Sequence, residues 1–321
     1  MKILVTGAGG FIGHHLVTFL KQRGAWVRGV DVKRPEFSAA DADEFLVADL
    51  RDPAAALAAT RGVDQVYALA ADMGGMGYIS ANHARILHDN TLINFHTLDG
   101  ARANGVARYL FTSSACVYPE YKQTVAAVTP LKEEDAYPAQ PQDAYGWEKL
   151  VTERLCAHYR EDYGLDTRVV RFHNIFGPLG TWTGGREKAP AAMCRKVAVA
   201  KLTGASAIEI WGDGEQTRSF CYIDDCLEGL TRLMASDHHE PLNLGQDRLV
   251  TINELADMVC AIAGVRLTKT HVPGPQGVRG RNSDNTRLRD VLGWEPRVSL
   301  EEGLRRTYGW IEEQVRRSSA G

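Results

Sequence analysis

Along the chain, short apolar runs rich in β-branched residues alternate with longer stretches whose apolar positions recur at helical spacing. KILVTG opens the series, a helical pattern runs from Phe11 to Arg23, and WVRGVD, FLVADL, VDQVYALAA and RYLFTSSACVY follow as further apolar runs. Short buried runs separated by amphipathic stretches predict βαβ units, hence an α/β fold whose doubly wound parallel sheet carries helices on both faces. From about Phe172 the texture changes: Gly, Pro and Trp become frequent in NIFGPLGTWTGG, WGDGEQTR and PGPQGVRGRNSDN. That composition predicts long loops around a ligand in place of a second regular sheet. The expected division is a sheet-bearing domain over 1–171 and a smaller, loop-rich C-terminal lobe over 172–321. RSFCYIDDCLEGLTRLM (218–234) returns to a strand-then-helix pattern, so 218–247 is expected to rejoin the first domain. VTINELADMVCAIAG reads as a helix opened by a Thr or Asn cap, and the polar RRSSAG at the end is expected to fray.

A chain of 321 residues with 44% hydrophobic and 24% charged positions can bury a core without disulfides or metals. Its 37 Lys and Arg against 40 Asp and Glu, with no long single-sign run, argue against a nucleic-acid partner. The six cysteines, Cys116, Cys156, Cys194, Cys221, Cys226 and Cys260, are scattered without CxxC or pairing to His, so neither a metal site nor a disulfide framework is expected. MKILVTGAGG lacks a signal-like apolar stretch and no run approaches the ~20 apolar residues of a membrane span. The expectation is a cytoplasmic protein with no membrane partner.

Gly7, Gly10 and Gly13 follow a predicted strand and open a predicted helix. Glycines there permit a tight turn and close approach of backbone to a pyrophosphate, whose charge is met by the helix N-terminus. The spacing is GxxGxxG rather than GxGxxG, and a bare strand-to-helix corner is the alternative reading. Asp31 ends the second predicted strand, where a carboxylate accepts from an adenosine ribose and repels a 2′-phosphate, which favours NAD over NADP. Lys33 and Arg34 weaken that inference if they turn inward. Asp49 ends the next strand and either borders the adenine or N-caps the helix of DPAAALAAT.

Tyr145 and Lys149 in YGWEK are spaced i, i+4 and project from one helix face into the same space. A phenol with a pKa of about 10 is a poor base at neutral pH unless a cation stabilises the phenolate. Lys149 and a positive nicotinamide ring are both suited to that. An incidental Tyr and Lys on an exposed helix is the plainer reading, but the pair shares the chain with the glycine turn and the SSACVY strand end.

GAGGFIG, Asp31, SSAxVY and YGWEK, in that order, resemble the extended short-chain dehydrogenase/reductase family over nearly the whole chain. The resemblance implies a Rossmann-type domain, bound NAD held by Gly7, Gly10, Phe11, Ile12, Gly13, Asp31, Asp49, Tyr145 and Lys149, and a tyrosine acting as acid/base at a sugar hydroxyl of a nucleotide sugar. It also implies a homodimer paired through the helix that carries YxxxK.

Members of that family differ beside the redox core, and the residue after SSA is here Cys116. A thiol with a pKa of about 8.5 can carry a proton, although a small buried Cys at a sheet end would do no chemistry. Lys188 in GGREKAPAAMCRK approaches a predicted helix, where its ammonium meets either a ligand or solvent. AADMGGMGY, SSACVYPE, QDAYGWEK, RFHNIFGP, GTWTGGREKAPAA, WGDGEQTRSF and GPQGVRGRNSDN together resemble the branch that epimerises a GDP-sugar at C3 and C5. That resemblance implies proton exchange by Cys116 and Lys188 and substrate contacts at Gly74, Ser114, Ala115, Asn174, Glu187 and Ala189. It further implies that Lys196, Gln216, Thr217, Arg218 and Arg281 hold the nucleotide diphosphate. The rival readings are a nucleotide-sugar 4-epimerase or 4,6-dehydratase, which needs no Cys–Lys pair, and a non-catalytic NAD sensor on the same fold.

Overall fold

The structure is a computed structural model that describes residues 1–319. The first half alternates β1 (Lys2–Thr6), α1 (Phe11–Gln22), β2 (Trp26–Asp31), β3 (Glu44–Val47), α2 (Pro53–Ala59), β4 (Gln65–Ala68), α3 (Met76–Ala81), α4 (His83–Ala103), β5 (Arg108–Ser114), α5 (Ala144–Tyr163) and β6 (Asp166–Phe172). There follow β7 (Ile175–Phe176), α6 (Ala189–Thr203), β8 (Ala207–Trp211), β9 (Thr217–Arg218), β10 (Cys221–Tyr222), α7 (Ile223–Ala235), β11 (Leu242–Leu244) and β12 (Val250–Thr251). The chain closes with α8 (Ile252–Ala263), β13 (Thr268–Val272), β14 (Gly280–Arg281), α9 (Thr286–Leu292) and α10 (Leu300–Ser319).

Seven parallel strands form a Rossmann-like sheet in the order β11-β6-β5-β4-β1-β2-β3. Successive side chains of a strand leave opposite faces, and here both faces are covered, which explains the near-continuous apolar runs. Ile3 and Val5 pack with Leu16, Val17 and Leu20 of α1 and Leu230 of α7. Leu4, Val66, Tyr109, Phe111 and Val169 pack on the other side against Ala56, Leu98, Ala101 and Cys156 from α2, α4 and α5. Truncating one such side chain to alanine costs about 2–5 kcal/mol. Strand order reverses between β1 and β4, and a ligand crevice opens beyond the carboxyl ends of strands at such a point.

The later part of the chain carries small sheets where long loops in place of a second regular sheet are expected. It carries a three-stranded sheet, β12-β9-β14, and the pairs β10-β7 and β13-β8. Apart from β8 and β13, these strands are only two residues long, too short to leave a periodic signature. β11 joins the large sheet by pairing with β6, Leu242 opposite Val170. Thr251 caps α8 in a reciprocal capping box with Glu254. Arg316–Ser319 continue α10 instead of fraying, because Val315 is buried against the core in that last stretch. Ala320 and Gly321, the end of the stretch expected to fray, lie outside the described residues.

Candidate active site

A cleft of about 870 Å³ runs over the carboxyl ends of the parallel strands and under the segments that follow β6. Its floor is the turn between β1 and α1. Gly7 has φ +70°, and a Cβ there would lie 2.9 Å from the Ala70 nitrogen. At Gly13 a Cβ would fall 2.1 Å from the Gly7 carbonyl oxygen, so no other residue fits without moving the turn. Gly9, outside the GxxGxxG spacing, is equally constrained: its Cβ would meet the Lys33 carbonyl at 2.1 Å, while its N–H donates to Asp31 at 3.0 Å. Gly10 caps α1 with no side-chain partner and the first helical turn carries no acidic residue, so the helix N-terminus is left for an anion. Burial pushes the Asp31 carboxyl up, against the pull of the Lys33 and Gly9 N–H groups. Lys33 lies 3.9 Å from Glu36 yet still borders the cleft, while Arg34 lies over the Phe45 ring. These residues fit a dinucleotide with an unphosphorylated ribose.

Asp49 lines the cleft and is paired to Arg51. It does not cap α2; Asp52 does, accepting from Ala54 N–H at 2.9 Å, because the cap must directly precede the first helical residue, Pro53.

The N-terminus of α5 is set by Asp143, which accepts from the Gly146 N–H at 2.9 Å. Gly146 lets the helix touch the turn after β5: a Cβ there would sit 2.2 Å from the Cys116 carbonyl oxygen. Tyr145 and Lys149 thereby enter the cleft as neighbours, 7% and 2% exposed. The Lys149 ammonium lies 5.3 Å from the centre of the Tyr145 ring and 4.7 Å from that of Phe111. Burial, then the charges of Glu148, Cys116 and Asp143, push the Tyr145 phenol well above its ordinary value. Ser114 Oγ accepts from the Cys116 N–H at 3.1 Å and fixes the turn that presents the thiol.

Lys188 reaches the same space from the start of α6, 72 residues after Cys116 in sequence. Burial lowers the pKa of its ammonium, partly offset by Cys116 and Cys226 and reinforced by Arg281. Arg281 donates from Nη1 to the Cys116 sulfur at 3.3 Å and from Nε to Gln123 Oε1 at 2.6 Å. Arg218 donates to the carbonyls of Thr217, Gln276 and Val278, and burial with the like charge of Arg281 pulls it down to about 9. Among the described residues, all these bonds go to neutral acceptors or the thiol, which leaves two cations in the cleft for an anionic ligand.

Other expected site residues gather there as well: Phe11, Ile12, Gly74, Ala115, Asn174, Glu187, Ala189, Lys196 and Gln216 line the cleft. Asn174 sits at φ +48°, a conformation Asn tolerates better than other non-glycine residues, and donates to the Ser219 carbonyl. Glu187 is committed to Arg195 and to the Gly185 N–H. Lys196 donates to the Glu209 carbonyl at 2.7 Å. Thr217 departs from expectation: it does not line the cleft, because strand alternation turns its hydroxyl away to the Ala126 carbonyl. Gln216 faces inward, and among the described residues its buried Oε1 has no partner.

Several residues escaped the sequence reading. Arg186 stacks over the Tyr78 ring at 3.7 Å and reaches Asp72 at 3.3 Å, clasping the two glycine-rich loops across the cleft, where Gly75 donates to the Arg186 carbonyl. Glu148 is buried beside Lys149 and held by Asn90 and Asn94 of α4. Arg186, Tyr78, Asp72 and Glu148 lie inside the segments GTWTGGREKAPAA, AADMGGMGY and QDAYGWEK, but nothing in a segment itself says which partner a side chain meets. Among the described residues no group of His, Cys, Asp and Glu could hold a metal ion, and no helix is long and apolar enough to cross a membrane.

The chain matches the family model described as NAD dependent epimerase/dehydratase over residues 3–245. It is 52% identical to a GDP-mannose 3,5-epimerase of Arabidopsis thaliana, covering 100% of this chain and 84% of that one. The solved UDP-glucose 4-epimerase of Thermotoga maritima superposes with a TM-score of 0.87 at 28% identity, covering 98% of this chain and 100% of that one. The UDP-glucuronic acid 4-epimerase of Bacillus cereus, solved with UDP-glucuronic acid and NAD, superposes with a TM-score of 0.83 at 26% identity, covering 98% and 100%. The chain belongs to the NAD dependent epimerase/dehydratase family and is an NAD-using isomerase of the epimerase type.

Proposed function

We propose that this enzyme is a GDP-mannose 3,5-epimerase that converts GDP-D-mannose to GDP-L-galactose. The observation that carries the reading is the meeting of Cys116, Lys188 and Arg281 beside Tyr145 in one cleft; the likeness to the plant enzyme supports it. Tyr145 takes the proton of the C4 hydroxyl as C4 is oxidised and gives it back on re-reduction. The bound dinucleotide supplies a reversible hydride acceptor for C4 and is not consumed. The 4-keto sugar acidifies the hydrogens on C3 and C5, since each carbanion delocalises into the carbonyl as an enolate. Inversion then needs a proton removed from one face and another delivered to the opposite face. Cys116 acts as the base, with the Arg281 guanidinium beside the sulfur, and Lys188 as the acid. Its lowered pKa brings ammonium and amine closer in energy at working pH, as a proton donor requires.

Lys196, Gln216, Arg218 and Arg281 bind the guanosine diphosphate, and Gly74, Ser114, Ala115, Asn174, Glu187 and Ala189 border the sugar. In this reading the segment after Phe172 supplies most of the substrate side, with 218–247 returning to the sheet-bearing domain except for Arg218 at its edge, and the enzyme is a cytoplasmic homodimer paired through α5. Incubation with GDP-mannose in D₂O tests the chemistry: deuterium enters C3 and C5, GDP-L-galactose forms, and no net NADH accumulates. Cys116→Ala stops exchange while NAD still binds. Loss of water, or C4 inversion without solvent exchange, overturns the assignment in favour of a dehydratase or a 4-epimerase.

A further inference from the structure

Beneath the Tyr145–Lys149 pair lies a buried carboxylate that the mechanism above does not use. Glu148 is 1% exposed. One carboxylate oxygen accepts from Asn90 Nδ2 and the other from Asn94 Nδ2, both at 3.0 Å, and the Lys149 ammonium lies 3.7 Å away. An amide N–H on each oxygen suits an ionised carboxylate, which accepts and does not donate; burial pushes the Glu148 carboxyl up, and the Lys149 charge with the two amide donors pulls against it. Asn94 also donates to Thr152, and Asn90 accepts from the Asp72 N–H and donates to its carbonyl, so the amides have little freedom to turn away. This cluster ties α4, α5 and the start of the glycine-rich loop at Gly74 to one charge.

We propose that Glu148 is a positioning residue that holds and compensates the Lys149 ammonium, so that Tyr145 remains a phenol until the positively charged nicotinamide is in place. The proposal rests on Tyr145 being the acid–base group at C4. The Lys149 charge favours the phenolate and the Glu148 charge opposes it. Cys116 from the turn after β5 and Asp143 at the helix cap also face Tyr145; Tyr78 of α3, whose hydroxyl donates to Asp72, packs against the same cluster, and Ile79 of α3 and Ile86 of α4 there are apolar. Around Glu148 the nearer charges are already paired: Asp89 with Arg51 and His88, and Glu153 with Arg171. Glu148 is thus the carboxylate left to answer Lys149.

The test compares Glu148→Gln, which removes the charge, with Glu148→Asp, which keeps it. Two midpoints are read: the acid limb of kcat/KM against pH, and the ultraviolet phenolate signal of Tyr145 without dinucleotide, taken as the difference from the same protein carrying Tyr145→Phe. In E148Q both midpoints fall by about one pH unit, a tenfold larger phenolate fraction at fixed pH on that limb; in E148D they stay at the wild-type position. If E148Q shows no cooperative melt, the double replacement Glu148→Leu with Asn94→Leu carries the same expectation, since charge and donor leave together. An unmoved or raised midpoint with reduced kcat overturns the proposal and leaves Glu148 structural. Undiminished turnover in Y145F overturns the reading of Tyr145 itself, an outcome distinct from an inactive Y145F with an unmoved E148Q profile.

Discussion

Replacing Arg171 with methionine should destabilise the enzyme severely, through charge rather than volume. Arg171, 1% exposed at the end of β6, donates to both oxygens of Glu153 at 2.9 and 2.6 Å and to the Glu133 carbonyl at 2.7 Å, and it reaches the Tyr118 hydroxyl at 3.3 Å. Glu153 also accepts from Ser113, and Tyr118 and His173 converge on Asn243. His173 is held at about 3 by burial, so it stays neutral throughout. Methionine fills much of the space but strips two donors from a buried carboxylate and the donor from the Glu133 carbonyl. Breaking one partner of such a pair costs about 3–5 kcal/mol, a fall in thermal midpoint on the order of 10 °C for a chain of this size. Because Ser113 leads directly into the Ser114–Cys116 turn, turnover should fall with stability. Urea unfolding followed by tryptophan fluorescence measures the loss, and the double variant Arg171→Met with Glu153→Leu should recover most of it, since no unpaired charge remains. If the single variant lies within about 1 kcal/mol of wild type, or the double is no better than the single, the buried pair is not what holds α5 to β6.

Gly13→Ala should abolish NAD binding in a fluorescence titration, because the added carbon would fall 2.1 Å from the Gly7 carbonyl and the turn must open; unchanged affinity would remove the turn from the cofactor site. Lys188→Met should lose at least about a hundredfold in kcat while gaining roughly 1 kcal/mol of stability at neutral pH. The sign follows from its lowered pKa: the cost of burying the ammonium is complete below the folded pKa and fades as pH rises towards the ordinary 10.5. The thermal advantage of the variant should therefore shrink at alkaline pH, and an advantage constant with pH would mean packing rather than charge.

Much of this protein is written locally. The apolar runs from KILVTG to RYLFTSS announce β1 to β5 because strands covered on both faces need apolar side chains at successive positions. The i, i+4 spacing of Tyr145 and Lys149 places both on one helix face in any fold that keeps the helix. Helix α4 leaves almost no such trace, since the face it buries carries Asp89, Asn90, Asn94 and Thr97, and a polar buried face erases the amphipathic period. Only tertiary structure answers those polar groups, pairing Asn90 and Asn94 with Glu148. It also decides that Gly9 and Gly146 must be glycine, since the atoms they would strike belong to Lys33 and Cys116, and that Gln216 faces the cleft while Thr217 does not. The meeting of Cys116 with Lys188 and Arg281 is likewise a contact between residues far apart in sequence. Spacing along the chain records helical turns and strand pleats; the distance between two loops brought together by a sheet is recorded only in the fold.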